Sequence, residues 1–168
     1  DREKGRRLLS ELQQLSRGAL AEMRTLLFEL RPAAMQDQTL GQLLGLVTEA
    51  AYARTRAKVS LNVEGDCSLP EQVTIGLLRI AQESLNNVAK HAEATEVDVT
   101  LVCDPEGVVL RISDDGRGFN PADIPPGHFG IGIMGDRVRQ IGAIFEVESK
   151  PGGGTQVLVT WSEPGEGV

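Results

Sequence analysis

Four polar residues of types that bind cations or phosphates recur along one stretch of the sequence at intervals of four and three. They are Arg79, Glu83, Asn87 and Lys90. On an α-helix this spacing puts a carboxylate, an amide oxygen and an ammonium group on the same side. Hard oxygen ligands hold Mg²⁺ and a lysine ammonium binds phosphate, so the stripe fits a site for a metal and an anion. An ordinary solvated helix face shows the same pattern.

A second candidate follows a predicted strand, where acidic residues precede two glycines. Asp114, Gly116 and Gly118 form an Asp-x-Gly-x-Gly pattern. Such a pattern can aim a carboxylate at an exocyclic amine while the backbone approaches a flat ring. Ordinary Asp/Gly turns carry the same residues. Since adjacent strand residues point to opposite faces, Asp114 and Asp115 are not expected to share a proton.

A third candidate is a glycine pair just before a predicted helix. Gly130 and Gly132 lead into a helix expected around Met134 to Ile141. A helix N-terminus offers free N–H groups and a positive dipole to an anion, although such a pair also serves as a flexible junction. His128, beside the pair, either covers a ligand or helps to anchor the loop.

The elements that must hold these candidates follow from the periodicity of apolar residues. A capping box of Ser68 and Glu71 is predicted to open the helix that carries the polar stripe. Trp161 alternates with valines and is predicted to lie in the core. The long Gly/Pro-rich tract over 114–132 is typical of a lid or binding loop. Helices are predicted over 1–31, over 39–56 and from the Ser68 cap to about His91, and strands over 59–63, 97–102, 108–112, 144–149 and 156–161.

Composition excludes several classes of function. The formal net charge of −7 over 168 residues is the opposite of the basic surface that nucleic-acid binding needs. No apolar run approaches the roughly 20 residues of a membrane span, and no signal-peptide pattern is present. We therefore expect a cytoplasmic domain without direct membrane contact. Cys67 and Cys103 lack metal-ligand spacing and are predicted to be reduced thiols.

The order and spacing of the three candidates resemble the N, G1 and G2 boxes of the GHKL ATP-binding fold. Histidine kinases, type II topoisomerases, Hsp90 and mismatch-repair ATPases share that fold. The resemblance covers residues 37–162. It implies an α/β protein with a two-layer α/β sandwich, the Bergerat fold, which holds ATP and Mg²⁺ between its helices and a lid.

The resemblance also implies a role for each matching residue. Glu83 falls on the acidic, catalytic position of the N box, and Asn87 falls on its Mg²⁺-ligand position. Asp114 matches the residue that accepts a hydrogen bond from the adenine amino group. Gly154 and Thr155 resemble the late Gly-Thr pair that closes the adenine pocket. The cofactor-binding residues implied in this way are Asn87, Lys90, His91, Asp114, Gly116, Gly118, Gly130, Gly132 and Thr155.

Residues 22–32 resemble the end of the second dimerisation helix in kinases of the nitrate-sensor and DesK-like group. We therefore expect residues 1–36 to be the C-terminal helix that remains of a dimerisation domain. Residues 37–165 are expected to be the catalytic ATP-binding domain. Neither His91 nor His128 matches the group's phosphoacceptor, so we expect no autophosphorylation by this chain alone. The resemblance implies a homodimeric parent kinase, with or without a membrane anchor, that passes its phosphoryl group to a response regulator.

Several alternatives stay open at this point. Relatives often read Met-Arg-Glu-Arg after the G2 box, whereas this chain reads Met134-Gly135-Asp136-Arg137, which leaves the phosphate contact to Arg137 or Lys90. The general base is either Glu83 or the acidic neighbour of the absent phosphoacceptor. Competing functions are a non-kinase GHKL ATPase, a nucleotide-sensing module and an interaction domain without nucleotide. The Leu-Arg-Pro helix end argues against the first two, and the clustering of three motifs argues against the third.

Overall fold

A five-stranded sheet with helices packed on one face forms the body of the protein. The computed structural model describes residues 38–55, 57–123 and 129–163, together with ten positions between residues 5 and 23. The helices are α1 (Leu40–Arg54), α2 (Glu71–Asn87) and α3 (Phe129–Ile141), and a π-helical turn (Val88–Ala92) continues α2. The strands are β1 (Lys58–Glu64), β2 (Glu96–Asp104), β3 (Gly107–Asp114), β4 (Ile144–Ser149) and β5 (Thr155–Ser162).

The sheet is mixed and runs in the order β1-β2-β3-β5-β4. β1 and β2 are parallel, whereas β2, β3, β5 and β4 pair with one another antiparallel. Val99, Ile112 and Val157 are partners in this register and all are buried. Alternate residues of a strand point to opposite faces of the sheet. The buried residues alternate along these strands, so they lie on one face, which the helices cover.

One hydrophobic core joins the helices to that face. Leu44 of α1, Leu77 of α2, Leu110 of β3 and Val159 of β5 are each 0% exposed. Trp161 is buried, as predicted, and its indole N–H donates to the Ile141 carbonyl at the end of α3, over 3.0 Å. This arrangement confirms the predicted two-layer α/β sandwich.

The helix starts differ from the predictions. The capping box of α1 joins Thr39 and Gln42: the Gln42 N–H donates to the Thr39 hydroxyl, and the Thr39 N–H donates to Gln42 Oε1. The predicted box of Ser68 and Glu71 is wrong, because α2 begins only at Glu71 and Pro70 is its N-cap. Ser68 therefore lies too far upstream to accept from the first free N–H groups.

The prediction of two reduced cysteines is also wrong, since Cys67 and Cys103 are joined by a disulfide with their Cα atoms 5.3 Å apart. Gly65 follows β1 with a φ of 77° and turns the chain back across β2. A Cβ at Gly65 would lie 2.2 Å from the Cys103 carbonyl oxygen. Only glycine allows this close crossing, which brings the two sulfurs together.

The described positions between residues 5 and 23 are helical, in line with the helix predicted over 1–31. Apolar side chains of the predicted seam are exposed there: Leu8 is 52% exposed, and Leu12 and Met23 are each 61% exposed. The Leu30-Arg31-Pro32 helix end lies outside the described residues. Across the described ranges, no helix has the length and apolar character needed to cross a membrane.

Candidate functional site

A cavity of about 400 Å³ opens between α2, the start of α3 and the adjoining ends of β3 and β5. Known small-molecule sites span roughly 300 to 1,000 Å³. Ile112, Met134 and Val157 supply apolar wall, whereas Asn87 of α2 and Asp114 of β3 supply polar groups. An apolar pocket with a few convergent polar groups is suited to a flat, partly polar ring.

The structure brings most of the predicted ligand-binding residues to this cavity, although not all of them. Glu83 is not part of the wall but contacts Gly130, which is. Lys90 is exposed on the π-helical turn, and Gly132 is exposed with nothing within 4 Å of the position of its Cβ. Gly116 is buried behind Asp114. The predicted residues that line the cavity are Asn87, His91, Asp114, Gly118, Gly130 and Thr155.

Asp114 ends β3 and presents a half-buried carboxylate to the cavity. The Gly116 N–H donates to its Oδ1 over 2.8 Å. The pKa of Asp114 is raised, chiefly by burial and to a smaller extent by the negative charge of Asp115. Hydrogen bonds from the backbone of Gly116 and Thr155 lower the pKa but do not cancel the rise. A carboxylate partly withdrawn from water makes a strong acceptor for a ligand N–H.

The neighbouring carboxylate turns the other way. Asp115 accepts from the Thr95 N–H over 2.8 Å, the Thr95 hydroxyl over 2.5 Å and the Glu96 N–H over 2.9 Å. The Glu96 hydrogen bond, followed by that of the Thr95 hydroxyl, lowers the pKa of Asp115. The two aspartates therefore have shifts of opposite sign and face apart, as predicted from their adjacency on a strand.

The glycine turn after Asp114 is packed against the turn that joins β4 to β5. Gly118 has a φ of 57°, and a Cβ there would lie 2.1 Å from the Lys150 carbonyl oxygen. Gly154 has a φ of 72°, and a Cβ there would lie 2.0 Å from the Asp114 carbonyl oxygen. Both glycines are therefore required by conformation and by close approach.

Ser149 is a residue of the site that the sequence reasoning missed. Its hydroxyl accepts from the Phe119 N–H over 2.9 Å and donates to the Gly154 carbonyl over 2.9 Å. It also lies 3.0 Å from the Thr155 hydroxyl on the cavity wall. Ser149 and Thr155 are register partners on β4 and β5, so only the strand pairing reveals the link.

Glu83 and Asn87 lie side by side on α2, under the first turn of α3. A Cβ at Gly130 would lie 2.7 Å from Glu83 Oε1 and 3.1 Å from Asn87 Nδ2. Because α3 begins at Phe129 rather than near Met134, Gly130 is inside the helix and not in the loop before it. Its missing side chain lets the helix N-terminus approach the polar stripe, which is the geometry of an anion site.

The amide oxygen of Asn87 fits a magnesium ion of the kind that takes most of its other ligands from a bound phosphate and water. Among the described residues there is no cluster of three or more His, Cys, Asp or Glu side chains that could hold a metal by themselves. His128 and the tract over 124–128, predicted to be part of the lid, lie outside the described residues.

Residues 72–165 match the family described as histidine kinase-, DNA gyrase B- and HSP90-like ATPase, a match that covers more than half of the chain. The chain belongs to this family. The match runs from the second residue of α2 to beyond the end of β5, so every residue lining the cavity lies inside it.

Individual relatives of this ATPase domain are sensor kinases. The sensor protein VraS of Staphylococcus saprophyticus is 32% identical over 148 residues, which are 88% of this chain and 42% of that protein. VraS of Staphylococcus aureus shows the same identity and coverage. The chain thus spans less than half the length of these relatives.

Solved structures agree with this assignment. The histidine kinase domain of the blue-light activated histidine kinase EL346 from Erythrobacter litoralis has a TM-score of 0.63 and 25% identity, covering 89% of this chain and 74% of that chain. The ATP binding domain of PrrB from Mycobacterium tuberculosis, at 23% identity and a TM-score of 0.60, covers 76% of this chain and 96% of that chain and shares the fold. These matches confirm the prediction of the ATP-binding catalytic domain of a sensor histidine kinase.

Proposed function

We propose that this domain binds ATP with Mg²⁺ in the cavity and presents the γ-phosphoryl group to a histidine outside this sequence. The observation that carries the proposal is that Asp114 and Asn87 line the same cavity. Asp114 is a half-buried acceptor with a raised pKa at the end of β3, and Asn87 is an amide beside the N-terminus of α3. The Asp114 carboxylate suits the adenine base of ATP, and the Asn87 amide beside the helix N-terminus suits the phosphates.

At the base end, the Asp114 carboxylate accepts a hydrogen bond from the adenine amino group, and the Thr155 hydroxyl lies beside it. Guanine carries a carbonyl oxygen where adenine carries the amino group, so this end disfavours GTP. Gly118 lines the cavity and Gly116 packs behind Asp114, so neither position places a side chain against the base. His91 lines the same cavity from the π-helical turn that follows α2.

At the phosphate end, Asn87 would hold a magnesium ion, and Lys90 supplies a positive charge. When bound, the ion would supply charge neutralisation for the transferring phosphoryl group. The first turn of α3, with Gly130 and Gly132, offers backbone N–H groups to the phosphates. Glu83 lies next to Asn87 and is placed to orient the attacking histidine or to accept its proton; the acidic neighbour of that histidine is the alternative base.

In the whole protein we propose a homodimeric kinase of the nitrate-sensor and DesK-like group, acting in the cytoplasm and relaying phosphate to a response regulator. Residues 1–36 would be a helix of the dimerisation domain and 37–165 the catalytic domain. The exposed apolar side chains of Leu8, Leu12 and Met23 support this division, because such a seam is buried only against other helices.

Calorimetry with ATP and GTP, with and without Mg²⁺, tests the binding half of the proposal. We expect Mg²⁺-dependent binding of ATP or ADP and much weaker binding of GTP. Asn87→Ala should remove the Mg²⁺ dependence, whereas Asn62→Ala, on the distant edge strand β1, should leave it intact. Equal affinity for both bases, or no binding of either, would contradict the proposed site.

Transfer of label from γ-labelled ATP tests the catalytic half. The chain alone should take up no label on histidine, and a dimerisation-domain protein that carries the acceptor histidine should become labelled in trans. The signal should be weak, because the effective concentration within one polypeptide is lost. Steady ATP hydrolysis without any labelled acceptor would indicate a non-kinase ATPase instead.

A further inference from the structure

Asp115, which follows β3, hydrogen-bonds to Thr95 and Glu96 at the start of β2. We call this set of bonds the Asp115 clamp, because it joins the segment after the π-helical turn to the segment after β3. Asp115 Oδ1 accepts from the Thr95 and Glu96 N–H groups over 2.8 and 2.9 Å, and Asp115 Oδ2 accepts from the Thr95 hydroxyl. The Asp115 N–H in turn donates to the Glu96 carbonyl over 3.3 Å. Asp115 is exposed and is not among the residues that line the cavity.

Backbone contacts show that this clamp holds a tight junction. The Arg117 N–H donates to the Ala92 carbonyl over 2.8 Å. A Cβ at Gly116 would lie 2.4 Å from the Ala92 carbonyl oxygen. Glu93, between Ala92 and the clamped residues, has a left-handed φ of 53°. A strained residue of this kind persists only where its surroundings fix the backbone on both sides.

The two segments carry the two halves of the proposed site. The first segment follows the π-helical turn, which carries His91 and continues the helix that ends at Asn87. The second begins at Asp114, the neighbour of Asp115 that faces the cavity. Because adjacent strand residues point to opposite faces, Asp114 faces the cavity while Asp115 bonds to the first segment.

We infer that Asp115 is a positioning residue for nucleotide binding, which sets the separation between the Asp114 carboxylate and the wall that carries Asn87 and His91. The inference rests on the proposed function, since it assigns a supporting residue to the proposed ATP site. A hydrogen-bonded aspartate that only stabilised a turn would alter the melting temperature and leave the affinity of the folded protein unchanged.

Calorimetry with Mg²⁺-ATP, well below the melting temperature, separates these two roles. Asp115→Ala should raise the Kd about tenfold. Asp115→Asn should stay within about threefold of the unmodified chain, because the amide oxygen can still accept from both backbone N–H groups. The matched control is Asp104→Ala: Asp104 accepts from the Glu106 and Gly107 N–H groups, each over 2.8 Å, at the far end of the β2–β3 hairpin. It should lower stability without changing the Kd.

A double-mutant cycle with Asp114→Ala tests whether Asp115 acts through its neighbour. Once Asp114 is removed, adding Asp115→Ala should change the Kd by less than about twofold. A full tenfold loss in both backgrounds would overturn the inference and indicate general damage. An unchanged Kd in Asp115→Ala would also overturn it, while leaving the ATP site intact. If the unmodified chain bound no Mg²⁺-ATP, the proposed function would fail first and this inference with it.

Discussion

Replacing Asp114 by alanine is the sharpest perturbation of the proposed site. The change removes a carboxylate that accepts from Gly116 in the apo fold and, as proposed, from the adenine amino group in the complex. A hydrogen bond with one charged partner contributes about 1.5 to 3 kcal/mol. The Kd for ATP should therefore rise by roughly one to two decades.

The same change should have little effect on the stability of the apo protein. Burial raises the pKa of Asp114, so the ionised group is a cost to the fold at neutral pH, and removing it relieves that cost. Removal also leaves the Gly116 N–H without its acceptor, which opposes the gain. We expect the melting temperature to move by less than about 5 °C.

Calorimetry with Mg²⁺-ATP and a thermal unfolding curve on the same sample measure both quantities. Asp114→Asn is the control, because it keeps an acceptor for Gly116 and removes only the charge. Its Kd should lie between those of the alanine variant and the unmodified chain. A folded Asp114→Ala protein with unchanged affinity, or one that loses ATP and GTP binding equally, would refute adenine recognition by this carboxylate.

Three further outcomes follow from the geometry. The pKa of Asp114 is raised above the ordinary value near 3.9, so ATP binding should weaken as the pH falls through that raised pKa. The Asp114→Asn variant, measured in parallel, should show only the pH dependence that comes from titration of the ligand. Gly130→Ala should weaken ATP binding, because the added Cβ would lie 2.7 Å from Glu83 Oε1. Gly132→Ala is the control and should bind ATP normally, because nothing lies within 4 Å of its added Cβ. Equal ATP affinities of the two variants would mean that α3 shifts to make room for the Cβ at Gly130. Reducing the bond between Cys67 and Cys103 should lower the free energy of unfolding by about 3 to 4 kcal/mol for a loop of this length, and denaturant curves that coincide with and without reductant would contradict it.

Local sequence signals predicted most of the fold and several of the residues that line the cavity. The polar stripe that includes Asn87 needs only helical spacing, and the position of Asp114 needs only a strand followed by glycines. Both signals are contained within a few residues, so they can be read without knowing the tertiary structure. The fold is shared with solved histidine kinase domains.

Features that depend on distant contacts were missed or predicted wrongly. Ser149 joins the site only because β4 pairs with β5 in one register. Cys67 meets Cys103 only because Gly65 turns the chain over a neighbouring strand. The start of α3 moves forward because Gly130 packs against α2. In each case the deciding contact lies far away in sequence, where periodicity carries no information.

The position of β5 in the sheet has a consequence for synthesis on the ribosome. This last strand lies between β3 and β4, so a nascent chain that has not yet extended to Ser162 leaves a gap in the middle of its sheet. Until then β3 has an open edge and the cavity lacks Thr155 and Val157. The proposed nucleotide site is therefore complete only after the whole domain has emerged, and ligand binding there would come too late to protect earlier intermediates from edge-to-edge aggregation.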